Sequence, residues 1–501
     1  MFDIDWQRFG DILQYDAKSP MIFSSGLFLF LFLGFSLVYW LLGKKTTLRL
    51  MFVTAFSYYF YYKSSGFYFF LLAVVTVSDF FIAHLIHRNN ERHGLLNETT
   101  EGKPIRKLPA NRLLLILSLV IDLGLLFYFK YTNFFGELWA SISGGTFTAL
   151  DIFLPVGISF FTFQSLSYTI DIFRGQLRPL NNLLDYAFYV SFFPQLVAGP
   201  IVRARDFIPQ IRRPLVVTEE MFGRGVFLII AGLFKKAIIS DYISVNFVER
   251  VFDQPDLYSG LENLLGIYGY TLQIYCDFSG YSDMAIGLAL LLGFQFPKNF
   301  DSPYKSKNIT EYWRRWHISL SNWLKDYIYI SMGGNRKGKL RQYINLLVTM
   351  LLGGLWHGAS LSFVIWGGFH GVLLCIDKMT KNIQEHIPSF VRVLITFHLV
   401  CLGFIFFRCQ SFDKSFLMLD QIFTHFEPQI FLQWVESYSI VALFMLLGYV
   451  LHFLPSNISE RTQQSITAMP LVGKALLIVL IAFIVIQIKS AEVQPFIYFQ
   501  F

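Results

Sequence analysis

Charged side chains are scarce in this 501-residue chain, and their scarcity limits the class of protein. Asp, Glu, Lys and Arg together make up 15% of the residues, whereas hydrophobic residues make up 54%. Soluble domains usually carry about 25% charged residues. Apolar runs of about 20 residues, enough to cross a hydrocarbon core of roughly 30 Å, recur along the chain. The sequence therefore indicates an all-α polytopic membrane protein with about eleven transmembrane helices.

Signals for several other functions are missing. The four cysteines have no metal-ligand spacing and are interpreted as free, buried thiols. There is no Gly-x-Ser-x-Gly elbow and no Gly-x-x-x-x-Gly-Lys loop, which leaves a serine enzyme and a nucleotide-driven pump unsupported. The net charge of +7 comes mainly from short loops beside apolar runs. Such loops are typical of the cytoplasmic face, so the positive charge does not indicate a nucleic-acid partner, and none is expected. We also expect no metal and no bound cofactor.

Four interruptions of the apolar pattern predict departures from simple spans. A turn is expected at Ser64–Gly66, and residues 186–202 contain two prolines and a glycine that break a helix at membrane depth. The adjacent Lys235 and Lys236 predict two short helices in place of one span. Residues 298–341 are too charged to cross the membrane, yet rich in Trp and Tyr, which predicts interfacial or re-entrant helices.

Residues 275–370 hold the candidates for chemistry, because titratable groups at bilayer depth are by default functional or exposed to water. Asp277 and Asp283 lie six residues apart, with Ser279 and Tyr281 between them. That spacing places the two acids on different sides of a helix, so they do not form an obvious acid dyad. Either acid could orient a histidine, cap the helix after Gly280 or pair with an arginine of the basic run, and paired structural acids are the favoured interpretation.

Two histidines stand beside tryptophans in the same stretch. His357 follows Trp356 and precedes a glycine, and a desolvated imidazole stays neutral near pH 7, as a general base must. His317 follows Arg314, Arg315 and Trp316. From the residues alone, two interpretations of each histidine stay open: an acid–base group, or a buried structural side chain.

At this point the motifs resemble the membrane-bound O-acyltransferase superfamily, in particular its branch of bacterial membrane subunits that O-acetylate alginate. The resemblance covers about residues 21–410, after an N-terminal extension (1–20) that is either a short interfacial helix or disordered. Residues 411–501 match only as further transmembrane helices. The motifs that carry the resemblance are Phe193–Ile201, Asp277–Gly287, Trp313–Ser321, Gly333–Arg336 with Asn335, Gly354–Gly358 and Phe406–Arg408.

The resemblance implies a many-helix fold around a central tunnel in the bacterial inner membrane. It places His357 as general base and His317 near it, with Asp277, Ser279, Tyr281, Asp283, Trp316, Trp356, Arg314, Arg315 and Asn335 as substrate- or donor-binding candidates. The implied donor is acetyl-CoA, whose phosphates suit the basic faces at 203–213 and 298–341. The implied partners are a periplasmic SGNH-type acetyltransferase, an exported polysaccharide acceptor and membrane lipid.

Three other functions stay open at this stage. A D-alanyl-type acyl transferase would share the histidine motifs and use a carrier protein as donor. A channel or transporter would line a permeation route with the same polar residues. A scaffold that only anchors an acetylase would need neither histidine.

Overall fold

The computed structural model describes residues 6–16, 20–95, 107–197, 199–409 and 411–488. Within these ranges every regular element is a helix, which confirms the predicted all-α class. A helix forms at Trp6–Leu13, whereas residues 1–5 and 17–19 of the predicted extension lie outside the described residues. The chain divides into two compact units, Met1–Val217 with Leu292–Phe296, and Thr218–Leu291 with Pro297–Phe501.

The helices of the first unit are broken where the sequence places glycine and proline. The helix that begins at Thr46 ends where Gly66 takes a φ of 60°, at the predicted turn. A second break separates Leu183–Ser191 from a single turn at Phe193–Leu196, as the prolines of residues 186–202 predict. The α-helices are α1 Trp6–Leu13, α2 Gly26–Leu41, α3 Thr46–Ser65, α4 Phe69–Arg92, α5 Pro109–Leu126, α6 Thr132–Ser143, α7 Ile158–Phe173, α8 Leu183–Ser191, α9 Phe193–Leu196 and α10 Ala204–Ile211.

The second unit carries the central stretch. Its α-helices are α11 Glu219–Leu233, α12 Asp241–Ile243, α13 Glu249–Asp253, α14 Gly260–Leu291, α15 Ile309–Arg315, α16 Ile318–Leu324, α17 Lys339–His357, α18 Leu361–Met379, α19 Lys381–Gln384, α20 Ser389–Cys409, α21 Phe412–Thr424, α22 Phe431–Ser437, α23 Ser439–Phe453, α24 Ser456–Ala468 and α25 Leu471–Ile488. The residues between 298 and 341 form short helices, as their charge predicts.

The prediction of two separate helices around Lys235 and Lys236 was wrong. The backbone stays helical from Glu219 to Asp253, and wider π-helical turns at Phe234–Ser240 and Ser244–Val248 form part of this helical run. Such π segments are rare and are often found at functional sites. The lysines are tolerated inside the unit because each one reaches a carboxylate, as described below.

Glycines set the closest helix pairs of the second unit. A Cβ built on Gly232 of α11 would lie 2.5 Å from the carbonyl oxygen of Gly280 on α14. In the pair formed by α17 and α18, a Cβ on Gly354 of α17 would lie 2.2 Å from the carbonyl oxygen of Phe363 on α18. Only a residue without a side chain permits backbones to approach this closely, as in many membrane helix pairs.

The predicted count of about eleven spans is not confirmed by the helix lengths. By length and apolar composition four helices qualify among the described residues, or five if a pair bent by 101° is counted as one span. Two further apolar helices, Gly26–Leu41 and Leu471–Val485, are shorter. Runs that read as continuous spans in the sequence are shortened or bent in the fold, so the predicted count is not confirmed.

Candidate active site

His357 is the last residue of α17 and is 2% exposed. The helix ends because Gly358 is extended, with a φ of −161°. A Cβ at Gly358 would lie 2.0 Å from the ring of Phe363, so the glycine lets the start of α18 pack against the end of α17. This packing fixes the backbone on both sides of the imidazole.

His317 lies in the bend between α15 and α16, with a φ of 42° and a ψ of 56°. Among the described non-glycine residues, only Ser302 shares a positive φ with it. This left-handed conformation is costly for a side chain larger than glycine and often marks a functional site. The imidazole is fully buried.

Asn299 holds that bend in place. Its side-chain oxygen accepts hydrogen bonds from the backbone N–H of Ser319 at 3.2 Å and from the Ser319 hydroxyl at 2.8 Å. Its side-chain nitrogen donates to Ser282 on α14 at 3.1 Å, and its backbone oxygen accepts from the N–H of Ile318. A single buried amide thus joins the bend to α14.

The structure brings the two histidines together. Their ring centroids are 6.5 Å apart and their planes are inclined by 64°. This separation leaves the ring nitrogens beyond the roughly 2.7–3.2 Å of a direct hydrogen bond. Trp356 touches both, with centroid distances of 5.9 Å to His317 and 5.1 Å to His357.

Aromatic rings close the remaining sides of the pair. Phe278 of α14 meets His317 edge to face at 4.6 Å. Trp366 of α18 meets His357 at 5.1 Å, and Phe407 of α20 meets it at 5.5 Å. These walls keep water away, and burial lowers the pKa of His317 to about 3. The His317 imidazole is therefore neutral at physiological pH and presents one donor and one acceptor nitrogen.

The two acids of α14 pair with the lysines of the π-helical segment. Lys236 donates to Asp277 at 2.5 Å and to Asp241 at 2.7 Å. Lys235 reaches Asp283 at 2.5 Å. Both acids are thus ion-paired, and the partners found are lysines, whereas the sequence suggested an arginine of the basic run.

The other candidate residues of α14 and α15 support the site at a distance. Ser279 accepts a hydrogen bond from Lys235 at 3.1 Å, and Tyr281 is buried in the same helix. Trp316, next to His317, stacks on Tyr312 at 5.7 Å with 16° between the planes. The contact between Phe278 and His317 joins α14 to the histidine bend.

Three predicted site residues lie away from the histidine pair. Arg314 and Asn335 are exposed. Arg315 pairs with Glu311 at 2.9 Å and with Asp301 at 3.3 Å. No described contact joins these three to either imidazole, so their candidate role is confined to the surface.

Some residues of the site were not singled out from the sequence. Phe278, Trp366 and Phe407 are apolar members of helices, and Asn299 is one amide in a loop. No spacing rule marks such residues, because their importance comes from what the fold places opposite them. The four cysteines, by contrast, are free as predicted, but only Cys276 and Cys401 are buried; Cys375 and Cys409 are partly exposed, so the prediction of burial was wrong for these two.

Similarity to known proteins decides the family. The family model of MBOAT, the membrane-bound O-acyltransferases, matches residues 173–419, which include both histidines. The probable alginate O-acetylase AlgI of Pseudomonas putida is 36% identical over 509 residues, covering 96% of this chain and all of that protein. The chain belongs to the membrane-bound O-acyltransferase family. It is therefore an acyltransferase and a multi-pass membrane protein, and the channel and scaffold hypotheses lose their support.

Two other relatives of this O-acyltransferase, matched over less of the chain, carry other names. The peptidoglycan O-acetyltransferase of Helicobacter pylori is 38% identical, covering 62% of this chain and 64% of its own. The teichoic acid D-alanyltransferase of Bacillus subtilis is 32% identical, covering 51% of this chain and 69% of its own. The similar proteins thus share acyl transfer and differ in acyl group and acceptor.

Proposed function

We propose that this membrane O-acyltransferase takes acetyl groups from cytoplasmic acetyl-CoA and moves them across the bacterial inner membrane. The acetyl groups are used for O-acetylation of an exported or cell-surface polysaccharide. The observation that carries the proposal is the buried, aromatic-walled pair of histidines, 6.5 Å apart, inside the region matched by the family. The similarity to an alginate O-acetylase over 96% of the chain supports acetyl as the acyl group.

In the proposed reaction His357 is the general base. Its imidazole takes the proton of the acceptor hydroxyl while the hydroxyl oxygen attacks the thioester carbonyl. The carbon–sulfur bond then breaks, and the thiol of coenzyme A leaves with a proton returned by the imidazolium. His317, held neutral, donates a hydrogen bond to the developing oxyanion or orients the acceptor.

The proposal assigns the donor to the cytoplasmic face and the acceptor to the opposite face. Transfer at a site between the two carries the acetyl group across the bilayer without moving the coenzyme. The acceptor hydroxyl then belongs to a periplasmic SGNH-type acetyltransferase or to the polysaccharide. The exposed basic residues of the second unit, described below, are candidates for binding the coenzyme phosphates.

D-Alanyl transfer is the alternative for the same site. The D-alanyltransferase of Bacillus subtilis covers only 51% of this chain, against 96% for the alginate relative. Purified protein supplied with either acetyl-CoA or a D-alanyl carrier protein distinguishes the two, because only the true donor releases its thiol in an acceptor-dependent way.

The decisive experiment measures the acetyl content of the exported polysaccharide from cells that express wild type, His357→Ala or His317→Ala. His386→Ala is the matched control, since that histidine is exposed and its Nδ1 contacts the nearby backbone oxygen of Asn382. Immunoblots of the membrane fraction establish equal protein levels.

We expect His357→Ala to lose more than 99% of acetylation, because a general base contributes about 10²–10⁴-fold. His317→Ala should lose a smaller share, and the control should match wild type. Full acetylation with both site variants at equal protein levels would overturn the proposal.

A further inference from the structure

The helix α14 is packed on two opposite sides, and one of them carries contacts to the histidine bend. On one side Gly280 packs against α11, since a Cβ built on it would lie 2.8 Å from a carbonyl oxygen of that helix. On the other side Phe278 meets the ring of His317 at 4.6 Å. Ser282 accepts a hydrogen bond from Asn299 at 3.1 Å. At about 100° per residue, Phe278 and Ser282 each lie about 160° around the helix from Gly280. A rotation of α14 about its own axis would therefore move both contacts to the bend.

Buried ion pairs oppose such a rotation. Lys236, in the π-helical segment that continues α11, donates to Asp277 at 2.5 Å, and both side chains are buried. Asp277 directly precedes Phe278, so the pair holds the backbone that carries this ring. Lys235 adds a second pair, to Asp283 at 2.5 Å. The two pairs join α14 to the neighbouring helical run at points six residues apart.

Lys236 has two carboxylate partners, and only one of them belongs to α14. The other is Asp241, which lies five residues further along the same helical run and accepts from the lysine at 2.7 Å. Loss of either carboxylate leaves the buried ammonium paired with the other, which avoids the large cost of an unpaired buried charge. Of the two acids, only Asp277 joins the lysine to the helix that carries Phe278.

We propose that Asp277 and Lys236 are positioning residues for acyl transfer, because their ion pair sets the rotation of α14 and thereby the place of Phe278 against His317. The inference rests on the proposed function. A displacement of about 1 Å in an active site can cost roughly 100-fold in rate, even when its cause lies away from the reacting atoms. Asp277 and Lys236 act through the ring and take no part in bond making or breaking.

The test compares Asp277→Ala with Asp241→Ala, two variants that each remove one carboxylate from the same lysine. Cells that express wild type or a variant at equal membrane levels receive a pulse of radiolabelled acetate. The initial rate at which alkali-labile acetyl label enters the exported polysaccharide measures transfer. The purified proteins give the melting temperature and the affinity for acetyl-CoA.

We expect Asp277→Ala to lower the rate of acetylation roughly tenfold or more, and Asp241→Ala to stay near wild type. Both variants should bind acetyl-CoA as wild type does, because neither substitution removes a basic side chain. Asp277→Asn should recover part of the rate, since its amide oxygen still accepts a hydrogen bond from Lys236.

A double-mutant cycle with Phe278→Leu distinguishes positioning from a contribution to stability alone. Leucine keeps an apolar side chain and removes the ring. If Asp277 acts through the ring, Phe278→Leu slows acetylation and Asp277→Ala adds little to that loss. A contribution to stability alone would add its full effect in the double variant. Equal rates in Asp277→Ala and Asp241→Ala, or full additivity in the cycle, would overturn the inference. Wild-type acetylation by His357→Ala would overturn the proposed function instead.

Discussion

At the scale of single residues, Asn299 shows how much of the site depends on a side chain that performs no chemistry. It makes three side-chain hydrogen bonds, two to Ser319 and one to Ser282. They hold His317 in a backbone conformation that costs about 1–3 kcal/mol. Without them the bend is expected to relax and carry the imidazole away from His357.

Asn299→Ala should therefore lower acetyl transfer roughly tenfold or more, and should also lower the melting temperature, because buried partners are left unsatisfied. Transfer assays and thermal unfolding of the purified protein measure the two effects. Asn322→Ala is the control on the neighbouring helix, since that side chain is exposed. Wild-type transfer by Asn299→Ala would show that the bend keeps its shape without the amide.

Burial of His317 predicts a dependence of stability on pH. Its pKa is about 3 in the folded protein and about 6.5 in an unfolded chain. The stability it contributes is present above about pH 6.5 and is lost as the pH falls towards 3, because only the unfolded state binds the proton.

The melting temperature of wild type should fall between about pH 7.5 and pH 5. It should fall less in His317→Gln, because glutamine does not titrate. For His317 alone, the free energy of unfolding lost at pH 5 amounts to about 2 kcal/mol. His386→Gln, which changes an exposed histidine, should leave the acid-induced loss unchanged. An equal loss in His317→Gln and wild type would contradict the pKa shift.

At the scale of helices, His357 depends on the contact between α17 and α18. Gly354→Ala would place a methyl group 2.2 Å from the carbonyl oxygen of Phe363, and backbone cannot move aside as a side chain can. The helices must separate, and the imidazole three residues further on moves with α17.

We expect Gly354→Ala to abolish most transfer and to lower the melting temperature. Gly353→Ala is the adjacent control, since its Cβ would meet only a methyl group of Leu324, at 3.0 Å. Because a variant that fails to fold is uninformative about the site, both proteins are compared after size-exclusion chromatography. Equal activity of the two folded variants would show that this contact does not position His357.

The helix that carries Lys235 and Lys236 shows why the sequence alone predicted a break where the fold has none. Two adjacent lysines in an apolar run predict a break, because an unpaired charge at bilayer depth is costly. The fold avoids the break by pairing Lys236 with Asp277 and Asp241, residues 41 and 5 positions away. Long-range pairing of this kind has no signature in local pattern, whereas the proline-driven break within residues 186–202 does.

At the scale of the whole molecule, composition and motifs were enough to predict the structural class, the family and the two candidate histidines. Composition alone predicts an all-helical membrane protein, and the motifs around His317 and His357 predict the family. The number of membrane spans could not be predicted in the same way, because the length of an apolar run does not distinguish a helix that crosses the membrane from a short or bent one. The aromatic residues around the two histidines could not be predicted from the sequence either, because Phe278, Trp366 and Phe407 are three of many apolar helix residues.

A basic cluster at the other end of α17 predicts how the donor is held. Its members Arg336, Lys337, Lys339 and Arg341 are exposed, and no carboxylate of the described residues pairs with them. In the first unit, by contrast, Arg203 is buried and Arg212 is paired with Asp185 at 2.6 Å. The 298–341 segment is therefore the better candidate of the two basic faces for binding the phosphates of coenzyme A.

Replacing the four members of the cluster by Gln should raise the KM for acetyl-CoA several-fold and leave kcat nearly unchanged. Its member nearest to His357, Arg341, lies about 24 Å away along α17, at 1.5 Å per residue, so the cluster does not touch the reacting atoms. The effect should shrink as salt is added, because exposed charges are screened. Lys44→Gln with Lys45→Gln is the control, since both are exposed outside this cluster. A fall in kcat at constant KM would instead indicate that the four substitutions disturb the helix that carries His357.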